Sequence, residues 1–111
     1  MKTKERNWTQ TQKKAVWEKG YIIPGYDENI YRKDFAGAWM VWFDYADTTS
    51  EISYGWEIGH IKPESLRGHD DIENLQPIHW FNNRTKGENY PYFTTMITSF
   101  NKQNVHREQR W

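Results

Sequence analysis

The stretch that decides the fold is WEIGHIKP at residues 56–63, an apolar and β-prone run that reaches a histidine and is stopped by a proline. Its composition predicts a strand. Residues 38–43, AWMVWF, form an earlier apolar run of the same kind and predict a buried strand. His60 therefore ends a predicted strand.

The residues that follow predict a loop and then a helix. Residues 64–71 carry a glycine and several charges, as is typical of a loop, and residues 74–78 are short and extended. Residues 79–86 predict a helix that Gly87 ends. Two strands, a loop and a helix in this order predict a ββα unit.

The flanks complete a single predicted α+β domain over residues 1–111. Residues 9–12 fit a capping box, so that residues 13–19 predict a short N-terminal helix. The tail from residue 94 has apolar residues at helical spacing, and residues 102–111 are polar. We therefore expect a C-terminal tail that is helical or disordered.

Composition excludes several classes of protein. The 111 residues suffice for one domain, 17% of them are aromatic, and the mean hydropathy is −1.08. No apolar run approaches the roughly 20 residues that span a bilayer, and the first residues lack the apolar stretch of a secretory signal. We expect a soluble, cytoplasmic protein with no membrane partner. The absence of cysteine excludes disulfides, thiolate zinc sites and cysteine nucleophiles.

The charge is zero overall but unevenly distributed. Residues 1–33 hold eight Lys/Arg and four Asp/Glu, residues 34–83 hold two and nine, and residues 84–111 hold five and two. Two basic flanks around an acidic centre are consistent with phosphate contacts beside a cation site. A solvated surface with chance clustering explains the same distribution equally well.

A few polar residues at the ends of elements could carry chemistry. His60 ends a strand, and Asn83 shares a helix face with His79 and lies near Lys86. An imidazole can take a proton from water, and an amide oxygen is a hard ligand suited to Mg²⁺. These residues alone indicate little, because a histidine at a strand end is more often a hydrogen-bonded structural residue.

The order and spacing of a larger set resemble a known motif. The matching residues are WEIGHIKPES at 56–65, Gly68, Asp70-Asp71, ENLQPI at 73–78, Asn82-Asn83 and Lys86-Gly87. This pattern resembles the HNH endonuclease motif, and the similarity extends over roughly residues 13–93 with a core at 31–93.

The resemblance implies a ββα-metal (His-Me finger) core and hydrolysis of DNA phosphodiester bonds. His60 matches the family's general base, Asn74 the residue that holds the loop and positions the base, and Asn83 the helix ligand to one divalent metal. We expect Mg²⁺, which Mn²⁺ or Ni²⁺ could replace, and no organic cofactor. The basic residues that we expect at the nucleic acid are Lys86, Arg84, Lys62, Arg32 and Lys33.

The chain departs from the family pattern at the positions of a zinc-binding cysteine pair. These positions hold His79 and Asn82. We therefore expect no structural zinc, and we interpret His79 as a packing or hydrogen-bonding residue of the helix start. Aromatic residues would fill the core in place of the zinc, among them Trp39, Trp56 and Trp80.

A second departure concerns the metal. The residue before the base is normally an aspartate that binds the metal, but here it is Gly59, which brings no side-chain oxygen. Mg²⁺ is usually held by one or two carboxylates, so metal affinity should fall. Either the chain is a natural, impaired relative, or it is an altered, silenced nuclease, or another carboxylate (Glu57, Asp70 or Asp71) replaces the aspartate.

The sequence thus predicts an HNH-type, metal-dependent endonuclease scaffold that nicks DNA, with activity weakened or lost because of Gly59. The alternative is an inactive HNH-fold module that binds nucleic acid or another protein. A third hypothesis, a structural partner in a larger assembly, has no positive support in the sequence. The sequence indicates nothing about oligomeric state or target specificity.

Overall fold

The computed structural model describes residues 7–111, so that residues 1–6, part of the predicted basic flank, lie outside the described residues. Among those described, helices and strands mix as expected for an α+β protein. The elements are α1 (Gln10–Trp17), β1 (Tyr21–Ile22), β2 (Tyr31–Lys33), β3 (Trp39–Val41), β4 (Trp56–His60), β5 (Leu75–His79), α2 (Trp80–Lys86), β6 (Thr94–Phe100) and β7 (Gln103–Arg110).

Helix α1 begins at the predicted capping box. The Thr9 hydroxyl accepts from the Gln12 amide at 3.0 Å, and the Gln12 side chain accepts from the Thr9 amide at 2.9 Å. Just beyond the helix, Lys19 donates to the carbonyls of Ile72 and Leu75, which ties this end of the helix to the start of β5. The predicted N-terminal helix is confirmed.

The strands form three antiparallel sheets, β1-β2-β3, β4-β5 and β6-β7. Our prediction that residues 38–43 and 56–61 are the two strands of one unit is therefore wrong. A 3-10 turn at Trp42–Asp44 limits β3 to three residues, and β3 pairs with β2. Strand β5 instead offers five residues in register with β4, from Trp56 opposite His79 to His60 opposite Leu75.

The C-terminal tail is a β-hairpin, and the prediction of a helical or disordered tail is wrong. Asn101 and Lys102 connect β6 and β7 with positive φ values of 50° and 66°. Two such residues suit the tight turn whose twist matches a hairpin. The buried side chains Thr95 and Ile97 alternate along β6, which packs on α2.

Tryptophan rings fill the core between α1 and β4. Trp17 and Trp56 are fully buried, with ring centroids 4.9 Å apart, and Trp42 lies 5.6 Å from each of them. Such edge and tilted arrangements are favourable contacts for aromatic rings. The prediction of an aromatic core is confirmed, with Trp39 also buried, although Trp80 is only half-buried.

A buried polar network occupies the positions that match the zinc-binding pair. Asp34 accepts N–H groups from Ala36, Ala38, His79 and the Asn82 side chain at 2.9–3.0 Å. Burial raises the pKa of the Asp34 carboxyl, and these four donors oppose that shift. We expected aromatic residues to take the place of the zinc. At the positions of the zinc-binding pair this is wrong, because hydrogen bonds to Asp34 join β5 and α2 there.

Asn82 and His79 extend this network. The Asn82 side chain accepts from the Met96 and Ile97 amides and donates to the Ile97 carbonyl at 2.8–3.0 Å, which fixes α2 to β6. His79 caps α2 by accepting from the Phe81 amide at 3.1 Å, and its Nε2 donates to the Ser53 carbonyl at 2.7 Å. Its predicted role as a hydrogen-bonding residue of the helix start is confirmed.

We predict that acidification destabilises the fold through His79. Burial lowers the pKa of His79 from 6.5 to about 4. Between these values the unfolded chain binds a proton that the folded chain does not, so the free energy of unfolding falls as the pH drops. The free energy of unfolding should fall by roughly 2 kcal/mol between about pH 7.5 and about pH 5. Urea denaturation at the two pH values measures this difference.

The matched variants are His79→Asn, which keeps a good helix cap without titrating, and His106→Asn at an exposed ion pair. His79→Asn should lose much less stability between the two pH values than the unaltered chain. An equal loss in His79→Asn would contradict the assignment.

Candidate functional site

Strand β4 presents two different faces at its end. Successive side chains in a strand point to opposite sides. Trp56 and Ile58 pack in the core with α1, whereas Glu57 and Gly59 face α2. His60 follows the first face, where its ring lies 6.4 Å from the Trp8 ring. The strand end therefore separates His60 from Asn83.

Asn74 holds the loop that follows His60. Its Oδ1 accepts from the Lys62 amide at 2.8 Å, and its Nδ2 donates to the carbonyls of Lys62 and His69 at 3.0 and 2.8 Å. Gly68 fits closely inside this loop, because a Cβ there would lie 1.7 Å from the Lys62 carbonyl oxygen. The middle asparagine of the motif thus fastens both ends of the loop.

The loop brings an acidic residue to the imidazole. Asp70 Oδ1 lies 2.7 Å from His60 Nε2, with 17% of the histidine side chain and 44% of the aspartate side chain exposed. Glu64 lies nearby, and one potential ligand atom from each of the three residues lies within 4.8 Å of the others. Exposed acidic groups often reach such spacing without an ion, so the spacing by itself identifies no metal.

On the other face, Asn83 lies against Gly59 and Glu57. A Cβ on Gly59 would lie 2.8 Å from Asn83 Oδ1 and 2.9 Å from Ile78 Cγ2. The Asn83 amide donates to Glu57 Oε1 at 2.9 Å, and Arg84 binds the same carboxylate through two hydrogen bonds of 2.6 and 2.8 Å. These hydrogen bonds raise the pKa of Arg84.

This face does not fit the divalent cation of the resembling family as it stands. Gly59 supplies no side-chain oxygen, and Asn83 turns its nitrogen towards Glu57. The Glu57 carboxylate is neutralised by Arg84. A hard cation prefers one or more carboxylate ligands, and only a neutral amide oxygen remains for it here.

Lys86 of α2 is hydrogen-bonded to the end of β4. Its Nζ donates to the carbonyls of His60 and Ile61 at 3.2 and 3.1 Å, and the residue is only 2% exposed. Burial lowers its pKa. Of the two roles considered for this lysine, phosphate contact and neutralisation of loop carbonyls, the geometry favours the second.

The other predicted nucleic-acid contacts differ in accessibility. Arg32 is 5% exposed and donates to the carbonyls of Glu18, Gly20 and Glu28. It therefore ties the end of α1 to β2. Lys33 lies 5.7 Å from the centre of the Trp39 ring, and Lys62 is exposed beside the His60 loop.

The sequence reasoning missed two partners. Asp70 was predicted as part of the motif and as a substitute metal ligand, and Asp34 was given no structural role. The proximity of Asp70 to His60 depends on loop closure by Asn74 and Gly68, for which no local pattern exists.

Comparison with known proteins agrees with this geometry. The family model described as HNH endonuclease matches residues 47–89, which include β4, the Asn74 loop, β5 and α2. Residues 47–89, fewer than half of the chain, are similar to the HNH endonuclease family. No curated protein and no solved structure matches the chain.

The HNH segment gives the chain a nuclease-type scaffold. Proteins of this family are usually endonucleases that act on DNA and generally depend on a divalent metal. The segment contains His60, Asn74 and Asn83. Within residues 7–111, none of the helices is both long and apolar enough to cross a membrane.

We predict that Asn74→Ala loosens the HNH loop. Three side-chain hydrogen bonds are lost, at about 1 kcal/mol each, so the free energy of unfolding should fall by roughly 2–3 kcal/mol. The Lys62 amide should exchange its hydrogen faster, as measured by NMR. Asn89→Ala, which removes one hydrogen bond to Lys86, is the control. Unchanged exchange at Lys62 in Asn74→Ala would contradict the assigned role.

Proposed function

We propose that β4, β5 and α2 form the ββα-metal core of an HNH nuclease that nicks DNA, and that Gly59 weakens or abolishes its activity. One observation carries the proposal: position 59 faces Asn83, because a Cβ on Gly59 would lie 2.8 Å from Asn83 Oδ1, so close that the end of the Asn83 side chain must shift to admit it. A carboxylate on that Cβ would stand beside the amide oxygen on the α2 side of β4. His60, one residue later, would remain on the other face.

The proposed chemistry at His60 is proton transfer. The imidazole accepts a proton from a water molecule, and the water oxygen forms a bond to phosphorus as the bond to the departing sugar oxygen breaks. The departing oxygen takes a proton from solvent. Asn74 keeps the loop in place during this step, so its contribution is geometric.

The cation of this proposal is Mg²⁺, which Mn²⁺ or Ni²⁺ could replace. With a carboxylate restored at position 59, Asn83 would be its protein ligand on α2, whereas the unaltered face does not fit it. When bound, such an ion supplies positive charge at the phosphate and the departing oxygen. Weak binding is expected because Gly59 provides no carboxylate and Arg84 already pairs with Glu57.

DNA contact is proposed for the accessible basic residues around the strand end. Lys62 is exposed two residues after His60, and half of the Arg84 side chain is exposed beside Asn83. Lys33 lies on β2, beside the Trp39 ring. If such residues bind phosphates, the affinity for DNA should fall as the salt concentration rises.

A second function, a non-catalytic module that binds nucleic acid or protein, is favoured by the ion pair on the α2 face. Arg84 and Glu57 are joined by two hydrogen bonds next to Asn83. The Arg84 guanidinium supplies the positive charge that a metal ion would supply there. Unlike a metal ion, it has no open coordination position to which a phosphate could bind. A carboxylate introduced at position 59 separates the two functions.

We predict that a carboxylate at position 59 restores nicking. The new Cβ would lie 2.8 Å from Asn83 Oδ1 and 2.9 Å from Ile78 Cγ2. The end of the Asn83 side chain can rotate aside, and Gly59→Asp is combined with Ile78→Leu, which removes the Ile78 branch at equal volume. Plasmid nicking is measured with Mg²⁺, Mn²⁺ and Ni²⁺. The double variant should cut, and adding His60→Ala should slow cutting roughly 100-fold or more.

The matched control is Gly59→Ala with Ile78→Leu, which has the same Cβ but no carboxylate. It should cut no faster than the unaltered chain. Equal cutting by the alanine and aspartate variants would contradict the role of Gly59. A folded aspartate variant that binds DNA without cutting it would favour the non-catalytic module.

A further inference from the structure

We propose that Asp70 is a positioning residue for His60: its carboxylate fixes the imidazole in the tautomer with the proton on Nε2, which leaves Nδ1 as the proton acceptor. The inference rests on the proposed function for the use of Nδ1. The placement of the proton itself follows from the contact between the two side chains.

The contact determines the roles of the two ring nitrogens. Nε2 of His60 lies 2.7 Å from Asp70 Oδ1. An ionised carboxylate can only accept hydrogen bonds, so Nε2 must donate. A neutral imidazole carries one N–H group, and Nδ1 therefore keeps its lone pair. A base for the attacking water requires such a lone pair.

Asp70 is held from both sides. The Asn74 side-chain Nδ2 donates to the His69 carbonyl, and the Asn74 backbone N–H donates to the Asp71 carbonyl, each at 2.8 Å. On the other side of the loop, the Ile61 amide donates to the Asn74 carbonyl at 2.8 Å. Asn74 thus links the residues flanking Asp70 to the residue that follows His60.

A fixed carboxylate has two consequences for a base. It restrains rotation of the ring, so that the lone pair keeps one direction. It also stabilises the imidazolium that forms when Nδ1 takes up a proton. The Asp70 carboxylate exerts both effects through the imidazole and without touching the reacting atoms, so its role is one of positioning.

The direct test is the tautomer of His60 in the unaltered chain. Long-range ¹H–¹⁵N NMR at about pH 8, where histidine is mostly neutral, distinguishes a protonated from an unprotonated ring nitrogen. His79 is an internal reference, because its Nδ1 accepts from Phe81 and its Nε2 donates to Ser53. His60 should show the same pattern as His79, and comparison with His60→Gln assigns its signals.

Two variants at Asp70 and one beside it complete the test. In Asp70→Ala the two ring nitrogens of His60 should shift towards the averaged values of exchanging tautomers. Asp70→Asn should retain the pattern, since its amide oxygen can still accept from Nε2. Asp71→Ala, which removes a carboxylate with no capping hydrogen bond, should leave His60 unchanged. A pattern with the proton on Nδ1, or one indifferent to Asp70→Ala, would overturn the proposal.

Kinetics connect the tautomer to catalysis. In the Gly59→Asp, Ile78→Leu background, Asp70→Ala should lower kcat roughly 10- to 100-fold with KM unchanged, the range found for partners that orient metal-binding imidazoles. Asp70→Asn should recover most of that loss. An unchanged kcat would overturn the positioning role. If the His60 tautomer is fixed but the Gly59→Asp, Ile78→Leu background does not cut DNA, the result contradicts the proposed function and leaves the role of Asp70 in fixing the tautomer intact.

Discussion

A buried carboxylate, Asp34, joins parts of the chain that share no sheet. It lies between β2 and β3, and it accepts hydrogen bonds from the end of β5 and from Asn82 of α2. Asn82 in turn bonds to β6. In a chain without cysteine, this network does what a covalent or metal crosslink would otherwise do. A buried carboxyl is costly unless it is hydrogen-bonded, so the network requires β5, α2 and the β2–β3 turn to assemble together. The orientation of α2, and with it Asn83 and Lys86, depends on this requirement.

The two-residue period of β4 then determines the geometry of the site. Gly59 and His60 are neighbours in sequence but face opposite sides of the strand. One side meets Asn83, and the other meets Asp70. A cation ligand and a base on consecutive residues can therefore approach a phosphate at the strand end from two directions. Under the proposed function, the base side has its histidine, whereas the cation side lacks a carboxylate at Gly59 and holds an arginine–glutamate pair.

Features that neighbouring residues encode were predicted from the sequence, whereas features that depend on contacts between distant residues were not. The capping box at Thr9, the strand end at His60 and the helix before Gly87 are all encoded within a few residues. The partner of β4 was missed because strand pairing depends on register with residues far along the chain. The C-terminal hairpin was missed because its Asn101-Lys102 turn lacks the glycine that usually marks such turns. The family resemblance supplied Asn74, Asn83 and the position of Asp70, but the contact of Asp70 with His60 depends on how the loop closes and required coordinates.

The account depends on the cation side lying between Gly59 and Asn83. Anomalous diffraction from Mn²⁺ in crystals of Gly59→Asp, Ile78→Leu and of the unaltered chain tests this directly. We expect a peak in contact with Asn83 Oδ1 and the introduced carboxylate, and none at that place in the unaltered chain under the same conditions. A peak bound by His60, Glu64 and Asp70 in both crystals would contradict the account, because it would make His60 a metal ligand instead of the base.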